Sequence, residues 1–191
     1  MRLLVLVASV RETRVGRAVG DWVVAAAGAH APHPDAGALD IDLVDLRELR
    51  LPLHDEPHHP KLGNYVGEPA KRWSARVAAA DAVIFVMPEY NHSFSAPLKN
   101  AIDYLHAEWA GKPVGIVSYG GLSGGTRAVV ALQPVMVNLG MRCLSTNVEI
   151  AWVSEHVADG VFAATERHDR ALAALLGDLL AERGEGRSLS R

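Results

Sequence analysis

The chain is poor in cysteine, in long apolar runs and in net charge, and each shortage excludes a class of protein. Cys143 is its only cysteine, so no intrachain disulfide can form, and a reducing, cytoplasmic setting is the expectation. Cys143 lies in Met-Arg-Cys-Leu-Ser-Thr, a strand-like stretch that predicts a buried core thiol rather than a nucleophile. No apolar run reaches about 18 residues, so nothing is expected to span a membrane. Residues 3–8 are apolar but too few for a signal-peptide core of about 7–15 residues. Lys and Arg number 19 against 22 Asp and Glu, a net charge of −3. So near-neutral a chain offers little to a phosphate backbone, and nucleic acid is not an expected partner. With 49% hydrophobic residues, disorder as the main state is excluded.

What is present is an alternation of two patterns. Residues 3–8, 82–87 and 113–118 are short, continuous apolar runs, as strands buried on both faces require. Residues 39–43 alternate apolar with polar, as an edge strand or one with a wet face does, and 141–150 is a fifth, less regular candidate. Helical patterns occupy 16–29, 68–80, 96–108, 124–139 and 163–183. In the last, Leu172, Leu175, Leu176, Leu179 and Leu180 form one stripe at helical spacing. Pro134 should kink the fourth helix, and Ser95 with Pro97 should cap and open the third. Five strands alternating with five helices predict an α/β doubly wound fold, a single domain over residues 1–183 with a frayed tail at 184–191. Residues 51–67, rich in proline and glycine, carry His54, His58 and His59 with Asp55 and Glu56. None of these sit at helical ligand spacing, so a solvated loop is favoured over a metal site.

In an open parallel sheet, ligands bind beyond the carboxyl ends of the strands. Three strand ends stand out. The first, Ala8-Ser9-Val10-Arg11-Glu12-Thr13-Arg14-Val15-Gly16-Arg17, gathers Arg11, Arg14 and Arg17 with the Ser9 hydroxyl at a helix N-terminus. That suits an anion, most simply a phosphate; the alternative is a solvated loop whose arginines pair with surface carboxylates. The second, Pro88-Glu89-Tyr90-Asn91, offers a flat ring and an amide that suit a planar heterocycle with imide and ribityl groups. The third, Ser118-Tyr119-Gly120-Gly121-Leu122-Ser123-Gly124-Gly125, is glycine-rich enough for its backbone to lie along the edge of a planar ligand.

These three segments, together with Pro97-Leu98-Lys99-Asn100-Ala101-Ile102-Asp103, resemble the NADPH-dependent FMN reductase family, which includes quinone, azo-dye and chromate reductases. The resemblance runs from Leu3 to about Trp152. It implies a flavodoxin-like five-stranded parallel sheet in the order 2-1-3-4-5, with helices on both faces. It further implies that Ser9, Arg11, Arg14, Val15, Gly16 and Arg17 surround the FMN phosphate. Pro88, Glu89, Tyr90 and Asn91 would hold the ribityl chain and isoalloxazine, while Ser118, Tyr119, Gly120, Gly121 and Ser123 would meet the ring's polar edge. Two departures stand out: Ala8 replaces a glycine common in the family, and Arg14 occupies a position where a small hydroxyl residue is common.

The implied activity is hydride transfer from NADPH or NADH to N5 of bound FMN, then reduction of a small acceptor such as a quinone, azo compound, free flavin or metal ion. The cofactor carries that chemistry, so no catalytic nucleophile or acid–base residue is assigned, and His92, His106 and Glu108 have no assigned role. Two rivals remain: an FMN-binding electron carrier or sensor with little turnover, and a flavodoxin-like shell without cofactor. A homodimer or homotetramer is expected, because Trp73, Trp109 and Trp152 fall near helix ends or loops, where a monomer would leave them partly wet.

Overall fold

The computed structural model describes residues 1–29 and 39–188. Strands β1 (Arg2–Val7), β2 (Asp40–Asp45), β3 (Ala82–Pro88), β4 (Pro113–Tyr119) and β5 (Arg142–Ile150) form one sheet. Its order is β2-β1-β3-β4-β5, and all four pairings are parallel. The helices are α1 (Gly16–Ala29), α2 (Leu46–Leu49), α3 (Glu68–Ala78), α4 (Ala96–Asp103), α5 (Thr126–Asn138) and α6 (Glu166–Ser188). This is the doubly wound, flavodoxin-like arrangement expected.

The apolar runs become strands because alternate side chains enter two separate cores. Leu4, Leu6, Val83, Phe85, Met87 and Ile116 pack beneath α3, α4 and α5. Leu3, Val5, Val7, Ile84, Val86 and Val117 pack beneath α1 and α6. Every residue of β3 and β4 is buried, which a continuous apolar run predicts for strands covered on both faces. The leucine stripe of α6 supplies Leu172, Leu175, Leu176 and Leu179 to the second core. β2 lies at one edge with its first residues partly exposed, as its alternating pattern requires.

Several expectations are corrected. Trp73 and Trp109 are fully buried, and their indole N–H groups donate to Ala101 O at 2.8 Å and Ile102 O at 3.0 Å. Their rings meet edge to face with centroids 6.2 Å apart. They are core residues, and of the three tryptophans only Trp152, 50% exposed, is wet. Cys143 is exposed, because it sits near the start of the edge strand β5, where alternate residues face outward. Ser95 occupies the N-cap of α4 but makes no side-chain cap bond. Instead its buried hydroxyl donates to Ala8 O at 3.0 Å, tying the start of α4 to the end of β1.

Other boundaries shift for local reasons. The third helical pattern ends at Asp103, and a 3-10 turn at Ala107–Trp109 follows. α5 continues through Pro134. α6 runs to Ser188, past the expected start of the tail at 184, while 189–191 lie outside the described residues. Ahead of α6 is a hairpin that the helical pattern from 163 does not anticipate. Val157–Ala158 (β6) pairs antiparallel with Val161–Phe162 (β7) around Asp159-Gly160, both at positive φ, the chemistry of a two-residue primed turn.

Trp73→Ala should destabilise the protein by roughly 3–5 kcal/mol, the range for deleting a buried aromatic ring. Urea unfolding followed by circular dichroism measures this, and a loss below about 1 kcal/mol would contradict the buried placement.

Candidate functional site

The strand order reverses between β1 and β3, since β2 lies on one side of β1 while β3, β4 and β5 extend on the other. The two strands are locked at this point by Ala8 N–H donating to Val86 O at 2.9 Å. Beyond their carboxyl ends opens a cavity of about 180 Å³, where the doubly wound fold places ligands. Its walls come from the β1–α1 loop (Ser9, Arg11, Thr13, Arg14, Val15), the end of β3 (Pro88, Glu89, Tyr90), the end of β4 (Tyr119, Gly120) and Val153.

The three strand ends singled out in the sequence therefore converge on one crevice, but not every residue named there reaches it. Ser9, Arg11, Arg14, Val15, Pro88, Glu89, Tyr90, Tyr119 and Gly120 line it, whereas Gly16, Arg17, Asn91, Ser118, Gly121 and Ser123 do not. Thr13 and Val153 line it without having been singled out. Thr13 stands among the loop arginines. Val153 carries no sequence signal, because its backbone N–H is bound to Gly120 O at 3.2 Å, a contact between distant segments.

The arginines divide by their partners. Arg17 donates to Asp21 at 2.9 Å and to Glu48 at 2.8 Å, so its charge is spent on the surface. Arg14 donates to Asp45 at 2.5 Å, an ion pair with side chains 12% and 1% exposed. Asp45 also accepts from Arg47 N–H at 2.9 Å and so caps α2. Arg11 is exposed, has no carboxylate partner among the described residues, and lies over the Tyr90 ring, 5.9 Å from its centroid. The Tyr90 and Ser9 hydroxyls share a hydrogen bond of 2.6 Å, which fixes the ring of Tyr90 against the first loop.

Two buried donors on this wall have no partner, Arg14 Nε and the Tyr119 hydroxyl. Burial pushes the Tyr119 hydroxyl far above the ordinary phenol range, so it remains a donor across the accessible pH range. A buried donor left unsatisfied costs about 1–3 kcal/mol. Two of the orphan donors thus stand beside this cavity, while Arg2 Nε and Arg142 Nε are orphans elsewhere. The first turn of α1, also at this end, carries no acidic side chain to offset its positive terminus.

The remaining predicted residues shape the walls. Asn91 and His92 are exposed and both adopt positive φ, 49° and 66°. Tyr90 and Ser93 exchange both backbone hydrogen bonds around them, at 2.9 and 3.0 Å. This is a primed tight turn, and asparagine and histidine are among the non-glycine residues found most often at positive φ. Ser118 donates to Gly124 O at 2.9 Å. Gly125 sits at φ +93°, where a Cβ would come within 2.6 Å of Ser118 Cβ, so this part of the glycine-rich turn serves its own packing. Glu89 accepts from Ser123 Oγ at 2.8 Å, from Arg127 N–H at 3.2 Å and from Arg127 Nε at 2.6 Å. It thereby clamps the glycine-rich turn and the start of α5 to the end of β3. Burial works against its charge, but the Arg127 and Ser123 hydrogen bonds prevail and hold its carboxyl below the ordinary range.

That direction fixes a pH dependence. A carboxylate with a lowered folded pKa stabilises the fold above its unfolded value of about 4.3, and the contribution fades as pH falls through the folded value. Glu89→Gln should therefore be less stable than the parent at neutral pH, and the gap should close on acidification below about pH 4. Parallel urea titrations across pH test this; a gap that is constant down to pH 2 would show that the charge is not the stabilising element.

Comparison with known proteins agrees with this geometry. A family model described as NADPH-dependent FMN reductase matches residues 1–153. An NAD(P)H-dependent FMN reductase of Schizosaccharomyces pombe is 37% identical over 162 residues, 84% of this chain and 78% of the relative. One of a Nectria species is 40% identical over 136 residues, 69% of this chain and 65% of the relative, so the chain spans just under two thirds of that protein's length. The solved structure of the flavoenzyme NAD(P)H:(acceptor) oxidoreductase FerB of Paracoccus denitrificans superposes with a TM-score of 0.74 at 24% identity. It covers 96% of this chain and 97% of FerB, a likeness of fold. The crevice at the β1–β3 switch point thus lies within the segment that the family model matches, and the chain belongs to the NADPH-dependent FMN reductase family.

Proposed function

We propose that the protein is a cytoplasmic, FMN-dependent NAD(P)H oxidoreductase acting on a small acceptor of the quinone, azo or free-flavin kind or on a metal ion. The observation that carries this reading is the cavity at the switch point. It combines the free guanidinium of Arg11 with two buried, unpaired donors, Arg14 Nε and the Tyr119 hydroxyl, at the positive end of α1. Donors in excess of acceptors at a helix N-terminus fit a phosphate monoester. The chemistry that bound FMN supplies is acceptance of hydride from reduced nicotinamide and delivery of electrons to the acceptor.

The residues of the chain bind and orient. Arg11 offers its charge to the phosphate, and Ser9 with Tyr90 holds the ring wall in place. Glu89 keeps the glycine-rich turn at a fixed distance from the end of β3. None of these groups has to move a proton. A carrier or sensor module would use the same wall, and the rate of flavin bleaching separates it from an enzyme.

A homodimer or homotetramer is part of the same proposal, though not on the tryptophans. Its support is the exposed apolar pair Val10 and Leu53, the latter 84% exposed, lining an apolar cavity of about 360 Å³ beside α2 and α4. Light scattering at micromolar concentration should give at least twice 20.5 kDa; a monomer would contradict this part.

Purified protein should bind FMN more tightly than riboflavin. Arg11→Ala should weaken FMN by about 1.5–3 kcal/mol, the worth of a hydrogen bond to a charged group, and leave riboflavin nearly unchanged. Mixing the FMN-loaded parent with NADPH or NADH in a stopped-flow cell should bleach the flavin band rapidly. Failure to bind flavin, or bleaching only over minutes, would overturn the enzyme reading.

A further inference from the structure

The glycine-rich turn invites the view that the end of β4 meets the flavin ring. The side chain of Tyr119 points elsewhere. Its ring belongs to the core shared by α1 and α6, and its hydroxyl ends against the first residue of α1. A methyl group at Gly16 would overlap the Tyr119 oxygen, with the ring carbon that bears it only 3.1 Å away. Gly16 therefore lies outside the cavity lining yet is required as glycine, because its missing side chain is the space into which the hydroxyl fits.

That hydroxyl is surrounded by polar groups without being satisfied by any. Tyr90, Arg14 and Asp45 act on it through charge, and the Ser9 hydroxyl lies beside it as a hydrogen-bonding neighbour. Ser9 already shares a hydrogen bond with Tyr90, and Asp45 already accepts from Arg14 and from Arg47 N–H. No group meets the hydroxyl with good hydrogen-bond geometry, and its residue is 4% exposed. A second orphan donor, Arg14 Nε, belongs to the same cavity wall, and the hydroxyl abuts the first residue of α1, where backbone N–H groups lack intrahelical partners. Helix α1 runs for 14 residues with no acidic side chain in its first turn, so its terminus is an uncompensated positive end. A phenol and a guanidinium donor on one cavity wall, beside a helix N-terminus, suit an acceptor with several lone pairs. A phosphate monoester meets that need, and the neutral carbonyls of a flavin ring do not.

We infer that Tyr119, placed by Gly16, donates its hydroxyl to the 5′-phosphate of FMN and is a residue by which the site separates FMN from riboflavin. This rests on the flavin-binding reading above and sharpens it. The phenol selects for phosphate because, with riboflavin bound, it stays unsatisfied, and a site rejects a ligand that strands its buried polar groups.

The test is Tyr119→Phe in the full-length protein, which removes one oxygen that holds nothing in the fold. FMN, riboflavin and inorganic phosphate are titrated separately into flavin-stripped parent and variant, by flavin fluorescence for the first two and by thermal shift for the third. The FMN dissociation constant should rise about ten- to a hundredfold while that of riboflavin stays within about threefold. Inorganic phosphate at a fixed concentration should raise the melting temperature of the parent more than that of the variant. Because the stranded hydroxyl is costly without ligand, the flavin-free variant should melt at or above the parent, and saturating FMN should reverse that order. Equal losses for FMN and riboflavin, an unchanged FMN affinity, or a lower melting temperature in the flavin-free variant would each overturn the assignment. A parent that binds neither flavin would instead defeat the functional reading, so the two failures are distinguishable.

Discussion

The pairing of β1 with β3 is the constraint on which the rest of the molecule depends. The chain enters the sheet at β1, leaves to one side for β2, and returns across β1 to place β3 on its other flank. Right-handed crossovers then send α1 to one face and α3 to the other, so the loops after β1 and β3 diverge and leave a gap. The backbone bond from Ala8 to Val86 closes the floor of that gap, and the Ser95 hydroxyl, bound to Ala8 O, pins one wall to it. Because the floor is two fully buried strands, the side chains just beyond it start from fixed backbone. Ser9, Pro88 and Tyr90 inherit their precision from the core rather than from the loops that carry them.

Electrostatics then select among the charges that the first loop supplies. Three arginines within seven residues would repel one another if all faced inward. Arg17 is turned to the surface by Asp21 and Glu48, and Arg14 is held by Asp45, leaving Arg11 uncompensated. Asp45 costs desolvation free energy, since it is buried. In return it receives a guanidinium and a backbone N–H on its two oxygens, which makes it a hinge between α2 and the first loop. The site thus keeps one exposed cation at the mouth and one paired cation in the wall. That combination attracts an anion without collapsing on itself when none is bound.

Much of this is readable in the sequence, and the limits follow from which interactions are local. The strands are legible because burial on both faces forces continuous apolar runs, and α1 because Gly16 to Ala29 holds one pattern from end to end. The strand order followed from the resemblance, not from periodicity, which carries no information on which strand neighbours which. The partners of the arginines are not legible. Asp45 lies 31 residues from Arg14, and loop composition cannot tell a phosphate-binding arginine from one already paired. The tryptophans mislead for the same reason, since a position near a helix end does not say which helix docks on it. The hairpin at 157–162 differs, because Asp159-Gly160 between apolar pairs is a local signal, overridden by the helical pattern that follows.

Strain completes the account, because three of the five non-glycine residues at positive φ among the described residues lie near the crevice, Arg50 and Asp159 lying elsewhere. Asn91 and His92 hold positive φ in the turn after β3, and Trp152 holds φ 50° at the end of β5, an uncommon state for a bulky residue. Each is over-determined by backbone bonds: Tyr90 with Ser93 on one side, Trp152 N–H with Gly121 O and Val153 N–H with Gly120 O on the other. Backbone in such conformations costs on the order of 1–3 kcal/mol per residue and persists only where surrounding contacts enforce it. Here the enforcing contacts join the end of β3 to its turn and the end of β5 to the glycine-rich loop. Strain and hydrogen bonds together therefore hold apart the walls between which a planar ring would lie, so the rim is set before a ligand arrives. A preorganised rim lowers the ordering cost of binding.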